Sequence, residues 1–203
     1  MTYVIRTVTV YCSSSSELAQ HYYDAGAELG CAIASNGWKL VYGGNAIGLM
    51  KTVADAVRAA GGKVIGITPQ FFCNKGLEDR LCDELVITNS MRDRKALLEE
   101  RGDAYIALPG GLGTFEEIFE IIVGKQLAYH NKPIVFLNTA GYWNPMIAMI
   151  QSAIEQKFIK PKARNLYFIA ATVSQAVDYL RSYIPPALKA DKWFAKGVAP
   201  ATE

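Results

Sequence analysis

The stretch Ala104–Glu120 (AYIALPGGLGTFEEIFE) has the clearest capacity for chemistry in this chain. A β-rich run leads into Pro109-Gly110-Gly111-Leu112-Gly113-Thr114 and then into helix-forming sequence. Three glycines let the backbone turn tightly and approach a ligand closely. The start of the following helix offers unpaired N–H groups and a partial positive charge, a combination that binds phosphate. The spacing is neither a Walker loop nor a dinucleotide fingerprint. The plainer alternative is a tight strand-to-helix turn with no ligand. Glu117 follows three residues after Thr114, and on spacing alone Thr-x-x-Glu reads as a capping box. Its place beside an anion-binding turn gives the carboxylate a second reading, as a catalytic group.

A second cluster lies on the helix expected over Ser90–Arg101. Met91, Leu97 and Leu98 mark its apolar face, Arg94 falls on that face, and Lys95 sits at its margin. An arginine near a helix N-terminus opposes the helix dipole. Once buried, it costs about 3–5 kcal/mol if its partner is missing. Arg94 therefore calls for a carboxylate or a ligand phosphate, unless it snorkels to solvent. A third glycine turn, Tyr42–Met50 (YGGNAIGLM), repeats the strand–turn–helix form less specifically. The serines Ser13–Ser16 either offer hydroxyls to a ligand or cap a helix beginning at Glu17.

These groups must be held by a scaffold, and strand-like and helix-like segments alternate almost throughout. Strands are expected at Thr7–Ser13, Trp38–Tyr42, Lys63–Thr68, Leu85–Thr88, Ala104–Leu108, Pro133–Leu137 and Leu166–Ala170. Helices are expected at Glu17–Ser35, Gly48–Ala60, Ser90–Arg101, Thr114–Ala128, Asn144–Phe158 and Val173–Tyr183, and Gln70–Asp83 reads as a loop. Several strands are continuous apolar runs, as when helices cover both faces of a parallel sheet. The fold class is α/β: a doubly wound, Rossmann-like, mostly parallel sheet of about seven strands with helices on both faces. Residues 1–184 read as one nucleotide-binding α/β domain and 185–203 as a C-terminal tail docked through Trp193 and Phe194. Ligands of such sheets bind at the carboxyl ends of the strands, where the serine run and both glycine turns fall.

Composition narrows the function classes. The 203 residues are 51% hydrophobic and 20% charged, with 21 Lys+Arg against 19 Asp+Glu. A net charge of +2 gives no sign of nucleic acid as a partner. No stretch approaches the roughly 20 apolar residues of a membrane helix. Four cysteines without a CxxC pair, and two histidines, argue against a zinc site or a disulfide scaffold. The expectation is a cytoplasmic protein with reduced thiols, with no metal and no cofactor.

Met91-Arg92-Asp93-Arg94-Lys95, followed by Pro109-Gly110-Gly111-Leu112-Gly113-Thr114-Phe115-Glu116-Glu117, matches the paired signature MxxRK and PGGxGTxxE. With Arg94 and Glu117 twenty-three residues apart, the pairing resembles the LONELY GUY family of cytokinin-nucleotide phosphoribohydrolases, often mislabelled lysine decarboxylases. The similarity covers about residues 7–183. It implies a homodimer that cleaves the N-glycosidic bond of a nucleoside 5′-monophosphate (a cytokinin riboside monophosphate or AMP), giving free base and ribose 5-phosphate. By motif match Arg94 and Glu117 are the catalytic pair. Lys95, Gly110, Gly111, Leu112, Gly113, Thr114, Glu116, Ser13, Gly44 and Met91 bind substrate. The chain departs from the family pattern at Ser13 in place of glycine, at Asn45 in place of the third glycine of a triplet, at Val123-Gly124-Lys125, and through the 70–83 loop. The competing reading is a non-catalytic nucleotide or molybdenum-cofactor carrier on the same fold, which needs the phosphate cradle but not the carboxylate. A pyridoxal-dependent decarboxylase is disfavoured, because nothing marks a lysine placed to hold that cofactor.

Overall fold

The computed structural model describes residues 3–187. Seven strands among them, β1 (Thr7–Tyr11), β2 (Lys39–Tyr42), β3 (Val64–Pro69), β4 (Glu84–Thr88), β5 (Ala104–Ala107), β6 (Ile134–Leu137) and β7 (Phe168–Ala170), form one all-parallel sheet ordered β4-β3-β2-β1-β5-β6-β7. Successive side chains of a strand face opposite sides, and the two sides build two cores. Val8, Val10, Leu40, Tyr42, Ile106 and Val135 pack with Leu29 and Ile33 of α1 (Gln20–Ser35), Val53 and Val57 of α2 (Gly48–Ala59), and Val177 and Leu180 of α7 (Val173–Arg181). On the other side Tyr11, Val41, Ile67, Tyr105 and Phe136 meet Leu98 of α4 (Met91–Arg101), Ile118 and Ile121 of α5 (Leu112–Gln126), and Trp143, with Met146 and Ile147 of α6 (Asn144–Glu155) at its edge. The strands read as unbroken apolar runs because both of their faces are covered.

The order of connection creates the site. The chain winds outward from β1 to β4, returns through α4 to β5 on the other side of β1, and then winds away to β7. Loops leaving β1 and β5 diverge onto opposite faces, which opens a crevice at their carboxyl ends.

Several boundaries differ from the sequence expectation, for identifiable reasons. Helix α1 begins at Gln20 rather than Glu17, and no serine side chain caps it. Instead Ser13 Oγ accepts from the Ser15 N–H at 3.0 Å and Ser15 Oγ from the Glu17 N–H at 3.2 Å, so the serines shape their own turn. The first residues of the expected 70–83 loop form one helical turn, α3 (Gln70–Cys73). Strand β7 is shorter than expected, since Pro161–Leu166 forms 3-10 turns before it. Helix α5 starts two residues early, at Leu112 with Gly111 as its N-cap. Thr114 is thereby inside the first turn and cannot be the cap of a capping box. The expected docking of Trp193 and Phe194 lies outside the described residues.

Candidate active site

The crevice at the β1/β5 switch point is a cavity of about 440 Å³ lined by five segments. Tyr11, Cys12 and Ser13–Ser15 come from the end of β1, Gly43, Asn45, Ile47 and Met50 from the turn after β2, and Phe72 from α3. Met91 and Arg94 come from α4, and Gly111, Leu112, Gly113, Thr114, Glu116 and Glu117 from the start of α5.

Arg94 and Glu117 meet in it. Arg94 Nη1 donates to Glu117 Oε1 at 2.7 Å, with the two side chains 7% and 11% exposed. The remaining guanidinium donors are also directed: Nε donates to the Ile67 carbonyl at 3.1 Å and Nη2 to the Gly43 carbonyl at 3.4 Å. Arg94 is held by α4, β3, the β2 turn and α5 at once, so the buried cation is paired and oriented. Burial pushes the Glu117 carboxyl above its ordinary range, and the Arg94 charge and hydrogen bond act in the opposite direction. A carboxylate made more basic by desolvation, yet held by a fixed cation, suits a group that must face developing positive charge or take a proton. Glu117 thus serves Arg94 across the fold, and the capping-box role falls away.

The start of α5 is open to an anion. No side chain caps it, and the Phe115 N–H takes the Gly111 carbonyl, which leaves the N–H groups of Leu112, Gly113 and Thr114 without intrahelical acceptors. One glycine of this turn and one of the turn after β2 are needed sterically. A Cβ on Gly110 would lie 2.1 Å from Thr114 Oγ1, and one on Gly43 would lie 2.2 Å from Arg94 Nη2. The Gly110 carbonyl accepts a hydrogen bond from the Tyr142 hydroxyl, which braces the turn from behind.

The other residues named from sequence divide. Ser13, Met91, Gly111, Leu112, Gly113, Thr114 and Glu116 line the cavity with the pair, Leu112 and Glu116 at its rim. Gly44, Gly110 and Lys95 do not line it. Gly44 adopts φ +68° and packs against the backbone of β3, where a Cβ would stand 2.8 Å from the Ile67 nitrogen. Lys95 pairs with Glu116, and with Glu120 at 2.9 Å, along the outer sides of α4 and α5. Sequence reasoning passed over Asn45, Ile47 and Met50, which lay within the third glycine turn, and Phe72, whose segment carried no periodic signal.

It also passed over a buried polar clamp beneath that turn. Asp79 Oδ2 accepts from the Tyr42 hydroxyl at 2.6 Å and from Arg58 Nη1 at 2.9 Å, and Asp79 Oδ1 accepts from the Leu81 N–H at 3.0 Å. The Asp79 N–H donates to the Gly44 carbonyl and the Ala46 N–H to the Leu77 carbonyl, each at 2.8 Å. The 77–79 segment thus lies strand-like along residues 44–46. Among the described residues no group of histidine, cysteine, aspartate and glutamate side chains is arranged to hold a metal.

The family model described as "Possible lysine decarboxylase" matches residues 50–180. "Cytokinin riboside 5′-monophosphate phosphoribohydrolase LOG3" of Arabidopsis thaliana is 41% identical over 180 residues, covering 89% of this chain and 84% of that protein. "Probable cytokinin riboside 5′-monophosphate phosphoribohydrolase LOGL2" of Oryza sativa subsp. japonica is 39% identical, covering 89% of this chain and 74% of that protein. Among solved structures, the molybdenum cofactor binding protein of Rippkaea orientalis aligns with a TM-score of 0.68 at 21% identity, over 87% of this chain and 96% of that one. The molybdenum cofactor carrier protein of Chlamydomonas reinhardtii aligns with a TM-score of 0.65 at 22% identity, over 86% and 95%. At that identity the two carriers show a shared fold only. With the family model matching more than half of its length and relatives near 40% identity along most of it, the chain belongs to the LONELY GUY family, the one whose model bears the lysine decarboxylase description.

Proposed function

We propose that this chain hydrolyses the N-glycosidic bond of a nucleoside 5′-monophosphate, AMP or a cytokinin riboside monophosphate, to free base and ribose 5-phosphate. The observation that carries the reading is the buried Arg94–Glu117 pair on the wall of a cavity whose other wall is an uncapped helix start. The family named for that reaction supports it. A cofactor carrier uses the helix start, but it has no use for a buried carboxylate kept beside an arginine.

The chemistry follows from the placement. The N–H groups of Leu112, Gly113 and Thr114 hold the 5′-phosphate, which sets the ribose over Glu117. As the C1′–N bond breaks, its electron pair leaves with the base and positive charge develops on the sugar, as in glycoside cleavage. The Glu117 carboxylate stabilises that charge and accepts the proton of the water whose oxygen bonds to C1′. The leaving base is protonated at the expense of solvent, so one water is consumed. Arg94 keeps Glu117 in place and ionised, and meets a ribose or phosphate oxygen. Incubation with AMP and with isopentenyl-AMP, and separation of the products, tests this reading: equimolar free base and ribose 5-phosphate are expected, and a protein that retains both nucleotides intact for hours refutes it.

The protein also acts, on this reading, as a homodimer. Supporting it is α6, whose Met149 is 57% exposed and whose Ile147, Ile150 and Ile154 line a mostly apolar groove that also includes Gln151 and Arg164. Equilibrium sedimentation at micromolar concentration checks this, with a 22.2 kDa species alone as the refuting result. All four cysteines are free, which suits a reducing cytoplasmic compartment. Among the described residues no helix is long and apolar enough to cross a membrane.

A further inference from the structure

Asn45 follows the two glycines after β2, and its side chain is off the surface with only its oxygen spent on the fold. Asn45 is 3% exposed and lines the cavity. Its Oδ1 accepts from Thr68 Oγ1 at 2.8 Å, which fixes the amide plane. Its backbone is pinned in an antiparallel bridge to Glu78, flanked by the two 2.8 Å bonds Asp79 N–H to Gly44 carbonyl and Ala46 N–H to Leu77 carbonyl. Among the described residues nothing accepts from its Nδ2. The result is an immobilised amide whose oxygen is used and whose two N–H donors are open on a cavity wall. Those donors are unpaired and face the cavity, so the site favours a ligand that brings an acceptor.

The sheet says which part of the ligand that is. The phosphate-binding turn follows β5 and Asn45 follows β2, two strands away across β1. At strand spacing this is about 10 Å, comparable with the reach from the phosphate of a nucleotide to its base. Arg94 and Glu117 lie between the two, since Arg94 reaches both the Gly43 carbonyl and Glu117. Around Asn45 the wall is apolar: Ile47, Met50 and Phe72, suited to the face of a heterocycle.

We propose that Asn45 is a specificity residue for the base, donating from Nδ2 to an acceptor atom on the edge of the heterocycle, with Thr68 as its positioning partner. The proposal rests on the nucleotide reading above and adds to it a selection among bases. Bases presenting a ring nitrogen or carbonyl there are accepted, and those presenting a C–H or N–H are disfavoured.

The test compares kcat/KM for AMP with that for its 1-deaza, 3-deaza and 7-deaza analogues and for 2′-deoxy-AMP, in the parent, Asn45→Ala and Asn45→Asp. The aspartate keeps the shape and the bond from Thr68 but presents no donor, so it serves where the alanine leaves Thr68 unpaired. Intrinsic effects of each analogue on bond cleavage cancel in the cycle. One deaza substitution is expected to cost the parent about tenfold more than it costs either variant, the size of one directed neutral hydrogen bond. Equal losses in parent and variants for all three deaza analogues overturn the proposal. Coupling of Asn45 to 2′-deoxy-AMP alone also overturns it, because the sugar then occupies that wall. Absence of base release by the parent from AMP and from isopentenyl-AMP alike refutes the nucleotide reading itself, and this proposal with it.

Discussion

Replacing Glu117 by glutamine deletes one charge at nearly constant shape, and the structure sets what else that change touches. Arg94 loses its anion but keeps the Ile67 and Gly43 carbonyls, and the new amide oxygen still stands where Oε1 accepted at 2.7 Å. Full removal of a buried partner costs about 3–5 kcal/mol. With an acceptor retained, the loss of stability is expected to be smaller, about 1–3 kcal/mol. The cap of α5 is not involved, because Gly111 holds that position and Glu117 is six residues further on. Turnover is another matter: without the charge, nothing on that wall balances the developing cation or accepts the proton of water. A positioned base or charge contributes about 10²–10⁴-fold, or roughly 2.7–5.4 kcal/mol of barrier. Adenine release from AMP, followed with thermal unfolding of the same preparation, reads both effects. The expected result is a folded variant with a KM within a few-fold of the parent and kcat lowered by at least two decades. A folded Glu117→Gln protein that hydrolyses AMP at the parent rate refutes the mechanism and leaves the carboxylate a structural partner of Arg94.

Three further expectations follow from other parts of the molecule. Gly43→Ala places a methyl 2.2 Å from Arg94 Nη2 and must displace the guanidinium; kcat should fall about 10–100-fold, the penalty of a misplacement near 1 Å, while the far-ultraviolet spectrum is unchanged, and parental kcat would contradict the placement. Adenosine, which lacks the group that the Leu112–Thr114 amides bind, should be hydrolysed at least about 100-fold less efficiently than AMP, whereas equal kcat/KM would remove the phosphate role from α5. Lys125 is 1% exposed, the only hydrogen-bond partner of its ammonium among the described residues is the Tyr183 hydroxyl at 3.0 Å, and burial lowers its pKa to about 8. The unfolded lysine titrates near 10.4, so below pH 8 the folded protein carries a buried cation at full cost, and the cost disappears as pH rises from 8 towards 10.4. Lys125→Met should therefore stabilise the protein by about 1–3 kcal/mol at pH 7 and by progressively less above pH 8; chemical denaturation at pH 7 and pH 10 reads the difference, and an equal effect at both refutes the assignment.

Much of this was legible in the chain because local rules and the tertiary fold agree. Alternation of apolar runs with 3.6-period segments, closed by Asn36-Gly37 and Gly61-Gly62, is enough to place strands and helices for a parallel sheet, and the glycines and serines at strand ends mark its ligand edge. The inward Arg94 was readable as well, since a cation on an apolar face demands a partner wherever the helix is buried. The choice of partner was not readable. Thr114-x-x-Glu117 satisfies the local spacing of a cap, and only the start of α5 at Leu112, with Gly111 as N-cap, turns Glu117 from its own backbone towards α4. The start of α5 is set by how the chain leaves β5 against Tyr142, a contact that no window of a dozen residues contains. Lys95 follows Arg94 in the sequence, but its pairing with Glu116 and Glu120, one helix away, is visible only in the structure. Asn45 looked like a lapse in a glycine triplet. Its meaning depends on Thr68 and the 77–79 segment, brought beside it by the pairing of β2 with β3 and by the buried Asp79. The sequence determined which elements form and which residues they carry to the rim of the sheet; the order of the strands decided which of those residues face one another, because pairing partners in this fold come from crossovers and not from neighbours in the chain.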